Sequence, residues 1–314
     1  MEEVPANDPD YDALVARHFL TGDELTSDEL ARLLARAAEL KGNRFASNAL
    51  ERRTVALVFQ KPSTRTRVSM EVAVDQLGGS ALVLREGEMQ LSRGESPRDT
   101  ALVLSRYVDA IAVRTGPHEQ VEELARYADV PVINMLTALH HPCQALADLL
   151  TLQERFGHLE GLRLAYTGDG NNVAHSLMIL GAKAGVHVAV ATPPSLRPDA
   201  AIAAELDGRV TLTDDPAEAA AGAHAVYTDV WVSMSDDERE AAQRRATLEP
   251  YRLDEALLEK ARADAVALHC LPAHPGEEIS AEVLYGERSA IWDQAENRLH
   301  AQKALLEFLL GGSG

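Results

Sequence analysis

Apolar runs too short to be helices alternate with amphipathic stretches along the whole chain. In the first half they fall at 54–59 (TVALVF), 81–85, 110–115 and 131–135; in the second, at 162–168, 187–192, 210–213, 225–231 and 265–270, with a short AIW at 290–292. Runs of this kind suit strands buried on both faces of a parallel sheet, and the stretches between them suit crossover helices. The pattern predicts an α/β fold of two doubly wound parallel-sheet domains. Thr26 and Glu29 in TSDELARLLARAAEL form a capping box that opens an early helix. A helix starting near His141 and running through CQALADLLTLQERF joins the halves, and AENRLHAQKALLEFLL forms the last helix. The expected division is residues 1–140, completed by the helix at 295–310, and residues 141–294, with 311–314 (GGSG) reading as a linker remnant. Residues 233–250 follow a strand and exceed an ordinary βα loop, so they read as a lid or a solvated insertion.

Charge narrows the partners. The 314 residues carry a net charge of −19, which disfavours nucleic acid and anionic membrane because polyanion binding needs a basic face. No apolar run is long enough to span a bilayer, and the acidic start MEEVPANDPDYD lacks the features of a signal peptide, so a cytoplasmic protein is expected. Cys143 and Cys270 are the only cysteines and read as reduced thiols.

Against this acidic background, QKPSTRTR at 60–67 stands out where the run ending at Phe59 gives way to a helix. Pro62, Ser63 and Thr64 are helix-start residues. A first helical turn has free N–H groups and a positive dipole end, and hydroxyls and guanidiniums add directed donors, a combination suited to phosphate. A plain helix cap with solvated arginines is the competing reading. His141 and Gln144, three residues apart, share a helix face. Asp229 and Cys270 fall at strand ends, where ligands of open α/β sheets bind. The segment YTGDGNNVAHS matches a dinucleotide loop only in part: Gly168 and Gly170 fit, but Val173 holds the third glycine position and Thr192 stands where a ribose-binding acid belongs. No cofactor and no metal are expected.

The motifs STRTR (63–67), VRT (113–115), HPCQ (141–144), GDGNN (168–172), TDVWVSM (228–234), HCLP (269–272) and ENR (296–298) follow in the order shown by ornithine-specific members of the aspartate and ornithine carbamoyltransferase superfamily, which the chain resembles over nearly its whole length. The resemblance implies that the first domain binds carbamoyl phosphate and the second binds ornithine, with transfer of the carbamoyl group to the ornithine side-chain amine giving citrulline and phosphate in arginine metabolism. It places Ser63, Thr64, Arg65, Thr66, Arg114, His141, Gln144 and Arg298 on carbamoyl phosphate, with Cys270 and a backbone contact from Leu271. Asp229 and Cys270 flank the reacting amine, and Arg114 joins them as catalytic. Asn172, Ser233 and Met234 surround the α-groups of ornithine. The family assembles as trimers, so a homotrimer or a multiple of trimers is expected. Met70, Ser92, Gly116, Ser235 and Pro275 depart from the family pattern without removing an implied contact. Putrescine, acetylornithine or aspartate as the amine, or a silent binding homologue, are the alternatives.

Overall fold

The structure is a computed structural model that describes residues 17–89, 94–206, 208–232 and 238–311. Ser92, Ser233, Met234 and Ser235 and residues 312–314 lie outside them. The first half runs α1 (Ser27–Gly42), β1 (Thr54–Phe59), α2 (Thr64–Gln76), β2 (Ser80–Arg85), α3 (Pro97–Leu104), β3 (Ala110–Arg114), α4 (His118–Tyr127), β4 (Val132–Leu136) and α5 (Pro142–Phe156). The second runs β5 (Arg163–Thr167), α6 (Asn172–Lys183), β6 (His187–Ala191), α7 (Ala200–Glu205), β7 (Val210–Thr213), α8 (Pro216–Ala220), β8 (Ala225–Thr228), α9 (Glu238–Leu248), α10 (Glu255–Leu258), β9 (Val266–His269), α11 (Ala281–Leu284) and α12 (Ile291–Leu310).

All strand pairs are parallel, in the orders β2-β1-β3-β4 and β7-β6-β5-β8-β9. The fold is α/β with two parallel-sheet units. The inner strands carry continuous apolar side chains because helices cover both faces; Val55, Ala56, Leu57, Val58 and Phe59 of β1 are all buried. Burying one such side chain contributes roughly 1.5–3 kcal/mol. Strand order reverses direction beside β1 and β3 in one sheet and beside β5 and β8 in the other. Crevices open at the carboxyl ends of such strand pairs.

Three expectations change. AIW at 290–292 is not a strand: Ser289 makes one bridge to Ala267, Ala290 donates to the Ala267 carbonyl, and the chain then turns into α12 at Ile291. The run at 225–231 ends as a strand at Thr228, where the Asp229 carboxylate takes the Val230 N–H at 2.7 Å. The last helix starts at Ile291, four residues before the expected 295. α5 is buried almost throughout, packs on α6 and α12, and ends at Gly157 with φ 79°. α12 returns to the first half to pack on α1 and α2. The Thr26–Glu29 capping box is present, and Met70 is a core residue. Among the described residues no helix is long and apolar enough to cross a membrane.

Candidate active site

The chain leaving β1 builds one corner. Ser63 is the N-cap of α2 in extended backbone, and its hydroxyl accepts from the Thr66 N–H at 3.4 Å. This leaves Thr64 and Arg65 exposed on the first turn and buries Thr66. The free N–H groups of that turn make it electropositive. Phe59 pairs in register with Arg114, so Arg114 emerges beside the turn. α12 brings Arg298 in as well. Both guanidiniums donate to Thr66 Oγ1, Arg298 at 2.9 Å and Arg114 at 3.4 Å. Arg67 points elsewhere and pairs with Glu71 at 3.1 Å.

The cations are short of partners. Among the described residues, Arg114 Nε, Arg298 Nε, His141 Nδ1 and Gln144 Oε1 are buried without a hydrogen bond. Burial, then the charges of Arg298 and Arg65, lowers the Arg114 guanidinium to about 10. Burial chiefly lowers Arg298 too. His141 caps α5, its N–H donates to Ser176 Oγ at 2.8 Å, and burial beside Arg298 and Arg114 holds its imidazole neutral. Gln144 Nε2 donates to the buried Asp148 at 2.8 Å. Gathering guanidiniums out of water with no ion-pair partner among the described residues is unfavourable, and an anion in the corner relieves it.

The second corner follows from strand register. Thr228 pairs with His269, so Asp229 and Cys270 leave β8 and β9 side by side. The Cys270 thiol donates to Asp229 Oδ1 at 2.8 Å. Burial, then Asp229, pushes this thiol far above its usual range, so it is a protonated donor and no thiolate nucleophile. Asp229 Oδ2 accepts from Asn171 Nδ2 at 2.7 Å, and Asn171 Oδ1 caps α6. Asn172 lies next along, but its Nδ2 donates to the Thr137 carbonyl at 2.6 Å, bridging to the loop before His141. Gly170 permits this turn, since a Cβ there would sit 2.3 Å from the Pro198 nitrogen.

Leu271, the residue after Cys270, has φ 59°, a conformation that costs a leucine roughly 1–2 kcal/mol. Its N–H donates to His269 Nδ1 at 2.8 Å, which leaves the His269 proton on Nε2, 3.1 Å from Glu278 Oε1. The polar supports Asn171, Asp148, Gln294 and Glu278 were missed by sequence reasoning. Asp148 had a usable signal, its helical i+4 spacing from Gln144; Glu278 had none. Asp229, His269 and Cys270 could in principle hold a metal ion, but both His269 nitrogens are engaged by Leu271 and Glu278.

Residues 17–154 match the family described as aspartate/ornithine carbamoyltransferase, carbamoyl-P binding domain, and residues 160–309 match its Asp/Orn binding domain. The chain is 56% identical over 306 residues to an ornithine carbamoyltransferase of Acidothermus cellulolyticus, covering 95% of this chain and 98% of the relative. The fold is similar to that of the ornithine carbamoyltransferase of Pyrococcus furiosus, with TM-score 0.90 and 48% identity over 96% of this chain and 99% of the other. It is also similar to that of the ornithine carbamoyltransferase of Thermus thermophilus, with TM-score 0.87 and 45% identity over 94% of this chain and 99% of the other.

Proposed function

Because the chain belongs to the aspartate/ornithine carbamoyltransferase family, we propose that it transfers the carbamoyl group of carbamoyl phosphate to the side-chain amine of L-ornithine, giving L-citrulline and phosphate. One observation carries this reading: the half-buried Arg114 and the buried Arg298 converge on Thr66, and among the described residues their Nε–H groups, His141 Nδ1 and Gln144 Oε1 have no hydrogen-bond partner. That is a receptor for a dianion with a polar acyl group attached. Each charge-assisted hydrogen bond contributes roughly 1.5–3 kcal/mol.

In this reading Ser63, Thr64, Arg65 and Thr66 hold the phosphate with Arg114 and Arg298. His141 and Gln144 receive the carbamoyl end, helped by Cys270 and the Leu271 backbone. Asp229 and Cys270 orient the amine, and Asn172, Ser233 and Met234 take the α-groups. The amine lone pair attacks the carbonyl carbon to form a tetrahedral intermediate. The carbon–oxygen bond then breaks, its electrons leave on phosphate, and the amine proton passes to a phosphate oxygen or water. Arg114 and Arg298 stabilise the charge that grows on the leaving group.

The amine must be neutral to attack. At a pKa near 10.4 only about four molecules in ten thousand are neutral at pH 7, a deficit of roughly 4.6 kcal/mol, so turnover rises with pH into the alkaline range. A flat profile from about pH 6 to 9 contradicts this step.

We place the domain boundary at residue 140, with the 295–310 helix completing the carbamoyl phosphate domain and residues 141–294 binding ornithine; α5, packed on both α6 and α12, serves as the shared element. The family resemblance supports a homotrimer or a multiple of trimers, and the exposed apolar Val68, which lines a cavity of about 510 Å³ together with Ser63 and Thr64, is available for a subunit contact. We place the reaction in arginine metabolism in the cytoplasm. The deciding experiment is citrulline formation from carbamoyl phosphate and ornithine, beside aspartate, putrescine and acetylornithine. Preference for ornithine is expected. Preference for another amine overturns the substrate, and phosphate-dependent thermal stabilisation without any turnover overturns the catalysis.

A further inference from the structure

Asp148 lies one helical turn after Gln144 on α5 and is fully buried. Its Oδ1 accepts from Gln144 Nε2 at 2.8 Å and from Gln294 Nε2 at 2.6 Å. The Gln294 amide has one possible orientation: its Oε1 accepts from the His269 backbone N–H at 2.9 Å, and a backbone N–H only donates. Gln294 Nε2 must therefore face Asp148. An ionised carboxylate only accepts, so it constrains Gln144 in the same way. Nε2 is drawn inward, and Oε1 is left as a buried acceptor without a partner among the described residues. In a corner otherwise crowded with donors, this acceptor asks for an N–H group from the ligand.

We propose that Asp148 is a positioning residue that fixes the Gln144 amide so that the site accepts an acyl phosphate bearing an N–H donor and rejects one bearing a methyl group. The proposal rests on the reading of this corner as a carbamoyl phosphate site. Carbamoyl phosphate and acetyl phosphate are nearly isosteric and differ in NH₂ against CH₃. A methyl group placed against Gln144 Oε1 leaves that buried acceptor unsatisfied, the situation in which polar sites discriminate most strongly. Through Gln294 the same carboxylate ties Gln144 to His269, the residue before Cys270, so the acyl group and the attacking amine are aligned from one point.

The test compares dissociation constants at pH 8 for carbamoyl phosphate, acetyl phosphate and inorganic phosphate. The native chain is expected to bind carbamoyl phosphate at least about tenfold tighter than acetyl phosphate. In Asp148→Leu that preference should fall to within about threefold while affinity for inorganic phosphate changes by less than about twofold; Asp148→Asn, which keeps an acceptor oxygen, should retain most of the preference. A role confined to packing would weaken all three ligands together. An Asp148→Leu protein with the native preference overturns the proposal, as does a native chain that binds both acyl phosphates equally. A native chain that binds none of the three overturns the reading of the site itself. Should Asp148→Leu fail to fold, a structure of the native chain with phosphonoacetamide decides. The ligand nitrogen is expected within hydrogen-bond distance of Gln144 while Gln144 stays on Asp148. A ligand nitrogen held elsewhere, or a Gln144 turned away from Asp148, overturns the proposal.

Discussion

The corner proposed to hold phosphate and the corner proposed to hold the amine are both built from the carboxyl ends of parallel strands, yet their polar groups stand in opposite states. Among the described residues, Arg114, Arg298, His141 and Gln144 each keep a buried polar atom without a partner. Asp229, Cys270 and Asn171 satisfy one another. The first corner is thus preorganised and electrostatically uncomfortable when empty, whereas the second is content. Binding of an anion relieves strain at the first corner; binding of an amine at the second must compete with hydrogen bonds already made. The contrast predicts that carbamoyl phosphate binds the free chain well and ornithine binds it poorly until the first corner is filled.

The largest effect should come from the uncompensated charge. Arg298→Met is expected to lower kcat/KM for carbamoyl phosphate by about 100- to 1,000-fold, as loss of a transition-state donor does. The unliganded thermal midpoint should stay level or rise, because a buried unpaired cation has been removed. A collapse of that midpoint in calorimetry would show Arg298 to be a fold element instead.

Asp148, which bridges the corners, gives the next effect. Burial raises its carboxyl to about 7, against the hydrogen bonds from Gln144 and Gln294 that lower it. Above pH 7 it is ionised in both folded and unfolded chains, and the full penalty for burying the charge is present. As pH falls from about 7 towards 4 the folded chain takes up its proton first, and the penalty fades. Relative to Asp148→Asn, native stability should therefore rise on acidification across that window by up to about 4 kcal/mol, read by denaturant titration at each pH. No change in the difference between the two proteins would contradict the burial.

At the amine corner, Asp229→Asn should cost about 100-fold in kcat/KM for ornithine while moving the dissociation constant of phosphate by less than about twofold. Equal loss of both would mean that the corners are not separable. Smallest of all, Ser63→Ala removes the α2 cap and should lower stability by about 1 kcal/mol, seen as a modest fall in thermal midpoint that added phosphate partly restores.

Much of the fold was legible because a strand buried on both faces must be apolar along its length, and residues 55–59 and 110–113 read that way. AIW misled because Ile291 and Trp292 suit strands as well as helices; the pairing of Ser289 and Ala290 with β9 decides where the helix begins, and that pairing is a tertiary event. In the site, STRTR was legible because arginines beside a buried strand in an acidic chain need a reason. Gln294 and Asn171 were not singled out because an amide or a helix cap at an ordinary helical position looks like surface until packing buries it, and Asp148 was passed over although its i+4 spacing from Gln144 put it on the same face. Ser233 and Met234, called from the resemblance, lie outside the described residues.

The account stands on the cationic corner, and a crystal structure with a bisubstrate analogue joining a phosphonate to the ornithine side-chain nitrogen tests it most directly. The phosphonate should lie on the first turn of α2 against Thr66, Arg114 and Arg298, with the nitrogen facing Asp229 and Cys270. A phosphonate bound anywhere else, out of reach of those guanidiniums, would contradict it.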